Sequence, residues 1–168
     1  GCVFQELSLA GSLSIAENIY AGRAPSQFGV VNWRELNRRA EALLEDFGLT
    51  LDVTASADSL PISTRQIVEI AKALSLNSKV LLLDEPTSAL TPDEVAALFQ
   101  VLRKLTARGI GIVYVSHHMT EIFAIADRIS VLRDGQMISS RPTSETTQER
   151  VVAEMIGSAH PGDVERTS

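Results

Sequence analysis

One cysteine, Cys2, in 168 residues excludes an internal disulfide and any cysteine-ligated metal cluster. Basic residues are scarce as well: 15 Lys and Arg face 21 Asp and Glu, for a net charge of −6. Without a basic excess, a nucleic-acid backbone is not the expected main partner. No apolar run approaches the roughly 18 to 20 residues that cross a bilayer. The longest, Val80 to Leu83 and Ile110 to Val115, are strand-sized. The N-terminus has no basic, apolar and small-residue order of signal type. Neither excess charge nor missing hydrophobics marks the chain as disordered, since 45% of it is apolar and 21% charged. These absences describe a soluble chain of a reducing compartment, sized for one domain. It opens Gly1-Cys2-Val3-Phe4 with a strand-like segment already under way, so the first part of a domain is expected to precede it.

What is present is a set of helix and turn signals. Ser14 and Glu17 fit a capping box for a short helix carrying Ile15, Ile19 and Tyr20. Gly22 to Gly29 reads as a loop. Asn32 and Glu35 open a longer helix with Leu36, Ala40, Leu43, Leu44 and Phe47 at helical spacing, ended by Gly48. Residues 50 to 62 read as irregular. Ser63 and Gln66 form a third expected capping box, ahead of Ile67, Ile70, Ala71 and Leu74.

From residue 79 strands and helices alternate. Val80 to Leu83 reads as a strand covered on both faces, and Ile112 to Val115 as the next buried strand. Thr91-Pro92-Asp93-Glu94 starts a helix carrying Val95, Leu98, Phe99, Leu102 and Leu105, ended by Gly109. Met119, Ile122, Phe123 and Ala126 mark another helix. Asp134-Gly135 is a two-residue hairpin signal between Ile129 to Leu132 and Met137 to Ile138. A last helix carries Val151, Val152, Met155 and Ile156 before Gly157, and residues 158 to 168 read as a polar tail. The expected fold class is α/β, a three-layer sheet with ligands at the carboxyl ends of its strands.

The Val80 strand ends in Asp84 and Glu85. One carboxylate at such a place can hold magnesium, and the next can orient or deprotonate an attacking water. On their own, the two acids could equally begin a polar loop. Adjacent His117 and His118 on an extended segment should point to opposite sides, and with only His160 besides, zinc is not expected. Trp33, Tyr20 and Tyr114 are expected to pack, and Cys2 to be a small buried hydrophobe.

Val80 to Leu83 followed by Asp84-Glu85-Pro86-Thr87-Ser88-Ala89-Leu90-Thr91 resembles the Walker B and D-loop of ATP-binding cassette (ABC) proteins. Val113 to Met119 is similar to their switch-histidine segment. Phe4-Gln5-Glu6 with Leu13 to Ile19 is similar to their Q-loop region, and Val68 to Leu74 to the helix after their signature motif. Ala126 to Ile129 and Val131 to Gly135 match their closing strands. Phe4 to Ser8, Ala21-Gly22-Arg23, Ser88 to Thr91 and Met155 to Gly157 narrow the resemblance to tandem-cassette ATPases of bacterial ribose-, galactose- or xylose-type importers, their N-terminal cassette above all.

The resemblance implies a P-loop NTPase-like core with a mostly helical signature subdomain. It divides the chain into core strand and Q-loop (1–8), helical subdomain (9–78), catalytic core (79–157) and tail or linker (158–168). It implies ATP and Mg2+ as cofactors. Asp84 and Gln5 would serve the metal, Glu85 would be general base and His117 would sense the outer phosphate. Gln5 would also couple the site to the permease. Ser63, Thr64, Gln66 and Ser88 would face nucleotide. The implied partners are a second cassette, membrane permease subunits and, indirectly, a periplasmic sugar-binding protein, at the cytoplasmic face of a bacterial inner membrane.

Two departures from the family accompany the match. None of the ten glycines is followed by lysine, so no phosphate-cradling Gly-x-x-x-x-Gly-Lys-Ser/Thr is present. A missing upstream segment accounts for this; so does real loss, which would leave a non-hydrolytic dimerisation or regulatory module. The signature is also altered. Where the family has Leu-Ser-x-Gly-Gln, this chain has Leu60-Pro61-Ile62-Ser63-Thr64-Arg65-Gln66. Pro61 removes a hydroxyl, and Ser63 replaces a glycine that lets backbone approach phosphate.

Overall fold

A computed structural model describes residues 2–3 and 9–157 of the chain. Gln5 and the rest of 4–8, the Cys2 side chain, His160 and the tail lie outside the described residues. The chain divides into two compact units, Gly1–Val115 and Ser116–Ser168.

In the first unit, strands β1 (Cys2–Val3), β4 (Val80–Asp84) and β5 (Gly111–Val115) form a parallel sheet in the order β1-β4-β5. The register sets Leu82 beside Cys2 and Asp84 beside Val115. Helices α1 (Ile15–Ile19), α2 (Trp33–Asp46), α3 (Ile62–Leu74) and α4 (Pro92–Ala107) supply the apolar faces, and a small hairpin, β2 (Ser26–Gln27) and β3 (Val30–Val31), precedes α2. Ile15, Ile19, Leu36, Leu44, Ile70, Leu81, Leu83, Leu98 and Leu102 are fully buried.

The helix starts follow from side-chain acceptors. The Glu17 amide donates to Ser14 Oγ while the Ser14 amide donates to Glu17 Oε2, closing the expected capping box. Asn32 Oδ1 accepts from the Glu35 amide at 3.1 Å. Gly48 (φ +80°) ends α2 in the left-handed conformation expected of a glycine there. Asn18, 2% exposed, was not singled out by the sequence. Its carboxamide accepts from the Ala10 amide and donates to the carbonyls of Ala10, Leu13 and Ser14, pinning the segment that leads into α1.

Several expectations need correction. The third capping box does not form: α3 starts one residue before Ser63, at Ile62, and its N-cap is Pro61, which offers no side-chain acceptor. β5 is not buried on both faces. α4 covers the Tyr114 side, where Phe99 meets Tyr114 edge-on at 6.1 Å, and Val113 and Val115 on the other side are about half exposed. Val80 is likewise 54% exposed. Strand chemistry fixes apolarity but not how many layers lie against an edge. Within the expected Gly22–Gly29 loop and just beyond it lies the β2–β3 hairpin, turning at Phe28 (φ +52°) and Gly29 (φ +81°). Trp33 does not pack: it is the first residue of α2, ahead of the buried stripe that begins at Leu36, and is 54% exposed.

In the second unit, α5 (Met119–Ile125), the antiparallel hairpin β6 (Arg128–Arg133) and β7 (Gln136–Pro142), and α6 (Gln148–Ile156) enclose a small core. Ile129, Val131 and Val151 are buried, with Met119, Ile122, Phe123 and Ala126 against them. Asp134 (φ +51°) and Gly135 (φ +76°) make the expected hairpin turn, and Gly157 (φ +77°) caps α6. Among the described residues no helix is long and apolar enough to cross a membrane.

Candidate functional site

Asp84 is the last residue of β4, so its carboxylate stands at the carboxyl end of the parallel sheet. The next residue breaks the strand. Glu85 adopts φ +47°, a left-handed backbone that a side chain other than glycine, Asn or Asp rarely takes, while its amide still donates to the Val115 carbonyl at 2.9 Å. One sheet bond therefore holds a strained turn in place, the kind of conformation that persists where surrounding structure over-determines it.

Beyond Glu85 the chain stays anchored. Pro86 and Thr87 are buried, Thr87 Oγ1 lies 3.4 Å from the Tyr114 hydroxyl, and Ser88 is exposed. The Thr91 amide and hydroxyl both donate to Glu94 Oε2, at 2.8 and 2.9 Å, at the start of α4.

The segment 60–66 meets the same glutamate. The Ser63 hydroxyl donates to the Glu94 carboxylate, and this bond, ahead of those from the Thr91 amide and hydroxyl, holds that carboxyl below its usual range. Ser63 is thus a link between the first turns of α3 and α4. Thr64 is half-buried beside it, and Gln66 is buried at 6% exposure. Arg65, which the sequence did not single out, secures the segment from behind. Its guanidinium donates to the Leu60 and Asp58 carbonyls at 3.0 and 2.7 Å. Only the spacing of Arg65 from that loop could have hinted at this, because carbonyl partners leave no sequence signal.

In the second unit His117 is exposed, at a bend between β5 and α5. The His118 amide donates to Ser116 Oγ at 3.0 Å. This bend corrects the expectation that the two imidazoles diverge: their ring centroids lie 4.2 Å apart with planes 34° apart. Alternation applies to extended strand, and the strand has ended at Val115. The structure thus groups Asp84, Glu85 and Ser88 on one strand end and Ser63 with Glu94 on another pair of elements, with His117 at its own bend.

The chain is similar in sequence to sugar-import ATP-binding proteins. The ribose import ATP-binding protein RbsA of Corynebacterium glutamicum is 45% identical over 155 residues, 92% of this chain and 29% of that protein. RbsA of Chromobacterium violaceum is 48% identical over 156 residues, 92% of this chain and 31% of that protein. The chain therefore spans about 30% of the length of these curated relatives. Among solved structures, it resembles a dimeric ATP-binding cassette in a post-hydrolysis state bound to ADP and Pi, with TM-score 0.68 and 27% identity, covering 85% of this chain and 62% of that one. It also resembles cbiO1 of Clostridium perfringens, part of the ABC transporter complex cbiONQ, with TM-score 0.73 and 26% identity, covering 90% of this chain and 60% of that one. The α/β fold is that of the ABC ATPase cassettes. The sequence profile of the ABC transporter family matches residues 1–88, more than half of the chain, and the chain belongs to that family.

Proposed function

We propose that the chain is part of the nucleotide-binding domain of a bacterial sugar-importing ABC ATPase, coupling ATP hydrolysis to uptake when the domain is complete. The observation that carries this is the strand end itself: Asp84 closing β4, then Glu85 held in a left-handed turn by its bond to Val115. The sugar-import relatives, similar over 92% of the chain, supply the substrate class.

The donor set fits the cofactors. A carboxylate oxygen at Asp84 is a hard ligand of the type Mg2+ takes, with Gln5 a second candidate. With ATP and Mg2+ bound, the metal would supply positive charge against that of the phosphates. Glu85 would accept a proton from water, and His117 would contact the outer phosphate. Ser63, Thr64 and Ser88 would face nucleotide held by a second cassette. Of these, exposed Ser88 and the first turn of α3, with its free amides and positive dipole end, suit a phosphate best. Buried Gln66 would act by supporting that turn. The partners in this reading are the second cassette, the permease and, through it, a periplasmic sugar-binding protein, with the cassette at the cytoplasmic face of the inner membrane. The helical segment 9–78 would be the signature subdomain and 79–157 the catalytic core.

The test is ATPase activity of the complete protein reconstituted with its permease. Stimulation by ribose-loaded binding protein, lost in Glu85→Gln, is expected; turnover indifferent to both would refute the reading.

A further inference from the structure

The β2–β3 hairpin turns at Phe28 and Gly29, both with positive φ. Two-residue turns of this hand are ordinarily filled by Asn-Gly or Asp-Gly. Phe28 is 97% exposed, so its ring adds nothing to the core while its backbone occupies a conformation that bulky side chains avoid. Val30 and Trp33 follow it in sequence at 71% and 54% exposure, and Phe28, Val30, Val31 and Asn32 line a shallow hollow of about 330 Å³.

The charge around this tip is also one-sided. Residues 22 to 40 hold four arginines (23, 34, 38 and 39) and one acid, Glu35, in a chain of net charge −6. Glu35 accepts from Arg38 and Arg39, Arg23 donates to the Ile19 and Ser75 carbonyls, and Arg34 is exposed. Along α2 the arginines occupy the first half, and Glu41, Glu45 and Asp46 the second. That order opposes the helix dipole, which favours acids at the start and bases at the end. The exposed ring and the arginines both fit a partner that is anionic and partly apolar.

We infer that the hairpin tip and the first turns of α2 make a peripheral contact with an anionic lipid surface. Phe28, Val30 and Trp33 enter the headgroup boundary, and Arg34 and Arg38 meet lipid phosphates. Aromatic side chains flanked by arginine are the composition of interfacial contacts. Three apolar side chains on a tip fall well short of the about 800 Å² per partner of a stable protein interface, whereas an anionic surface adds attraction with each arginine. The inference is independent of the nucleotide chemistry.

Trp33 is the single tryptophan, so its emission reports the contact directly. The chain is titrated with vesicles of phosphatidylcholine alone and of equimolar phosphatidylcholine and phosphatidylglycerol. A blue shift with the anionic vesicles only, reversed by high salt, is expected. Arg34→Glu should weaken vesicle affinity about 25-fold, since each basic side chain near the surface contributes about fivefold and a reversal counts twice. Phe28→Asn should weaken it similarly while accepting the left-handed backbone, so that an unchanged circular dichroism spectrum separates lost contact from lost fold. No shift with anionic vesicles, an equal shift with neutral ones, or wild-type affinity in both variants would overturn the proposal. So would a shift that needs reconstituted permease, which would make the occupant a protein. A shift that follows chain concentration without lipid would make it a second copy.

Discussion

The hydroxyl of Ser63 donates to the carboxylate of Glu94, so the first turn of α3 is tied to the first turn of α4 by a side chain where the family has a glycine. Glu94 also accepts from the Thr91 amide and hydroxyl, and the segment after Glu85 and the segment 60–66 therefore share one anion.

Restoring the family pattern separates two effects. Pro61→Ser places a hydroxyl acceptor at the N-cap of α3, where a serine contributes about 1 kcal/mol relative to a residue without one. Ser63→Gly breaks the link to Glu94 and adds backbone freedom, at about 0.5 to 1 kcal/mol. Thermal melts of the single variants should therefore move in opposite directions. In the complete protein the double variant should raise turnover roughly ten- to a hundredfold at the site these residues complete, the worth of one charge-assisted contact in a transition state. Unchanged turnover would mean that residues 60 to 66 do not face nucleotide.

Asn18 should be far more costly to lose than the open side of β5. Asn18→Ala leaves the Ala10 amide and up to three carbonyls short of a partner, at about 1 to 3 kcal/mol. Val113→Thr, on a half-exposed strand face, should stay within about 0.5 kcal/mol. Urea midpoints at constant slope measure both.

What could be read from sequence was local. Ser14 with Glu17 and Asn32 with Glu35 lie within one turn, so each helix start carries its own signature, as does the Asp134-Gly135 turn. The link from Ser63 to Glu94 joins two helices far apart in sequence, and Gln66, three residues on, offered a local partner that the fold does not use. The exposure of Val113 and Val115 depends on which layer lies against them, which an apolar run does not encode. The bend that stacks His117 on His118 starts where β5 stops, and strand ends are poorly marked. The Asp84-Glu85 pair was legible as chemistry at a strand end, but not the left-handed turn at Glu85, for which no glycine or asparagine gives notice.

Acid should destabilise the fold only below about pH 5. The Glu35 carboxyl is lowered to about 2 by hydrogen bonds from Arg38 and then Arg39, and Glu17 is held down by the Ser14 hydroxyl and amide. Burial alone would raise Glu154, but Ser139, Arg141 and Arg150 hold it below its usual value. Each group is more acidic folded than unfolded. Its contribution is therefore complete above the ordinary carboxylate pKa of about 4.5 and is lost as pH falls through the lowered value. The melting temperature should be flat from neutrality to about pH 5 and fall towards pH 2, and Glu35→Gln should flatten that fall.

The central claim, that Asp84 holds the metal and Glu85 takes the proton, is tested most directly by Mg2+-dependent ATP binding to the complete protein carrying Asp84→Asn or Glu85→Gln. Asparagine at 84 removes the anionic oxygen from the end of β4, whereas glutamine at 85 keeps the shape of the turn and loses only the basic site. The account predicts weakened Mg2+-ATP binding in Asp84→Asn, and near-native binding with ATP retained unhydrolysed in Glu85→Gln. Equal loss of binding in the two variants would contradict it.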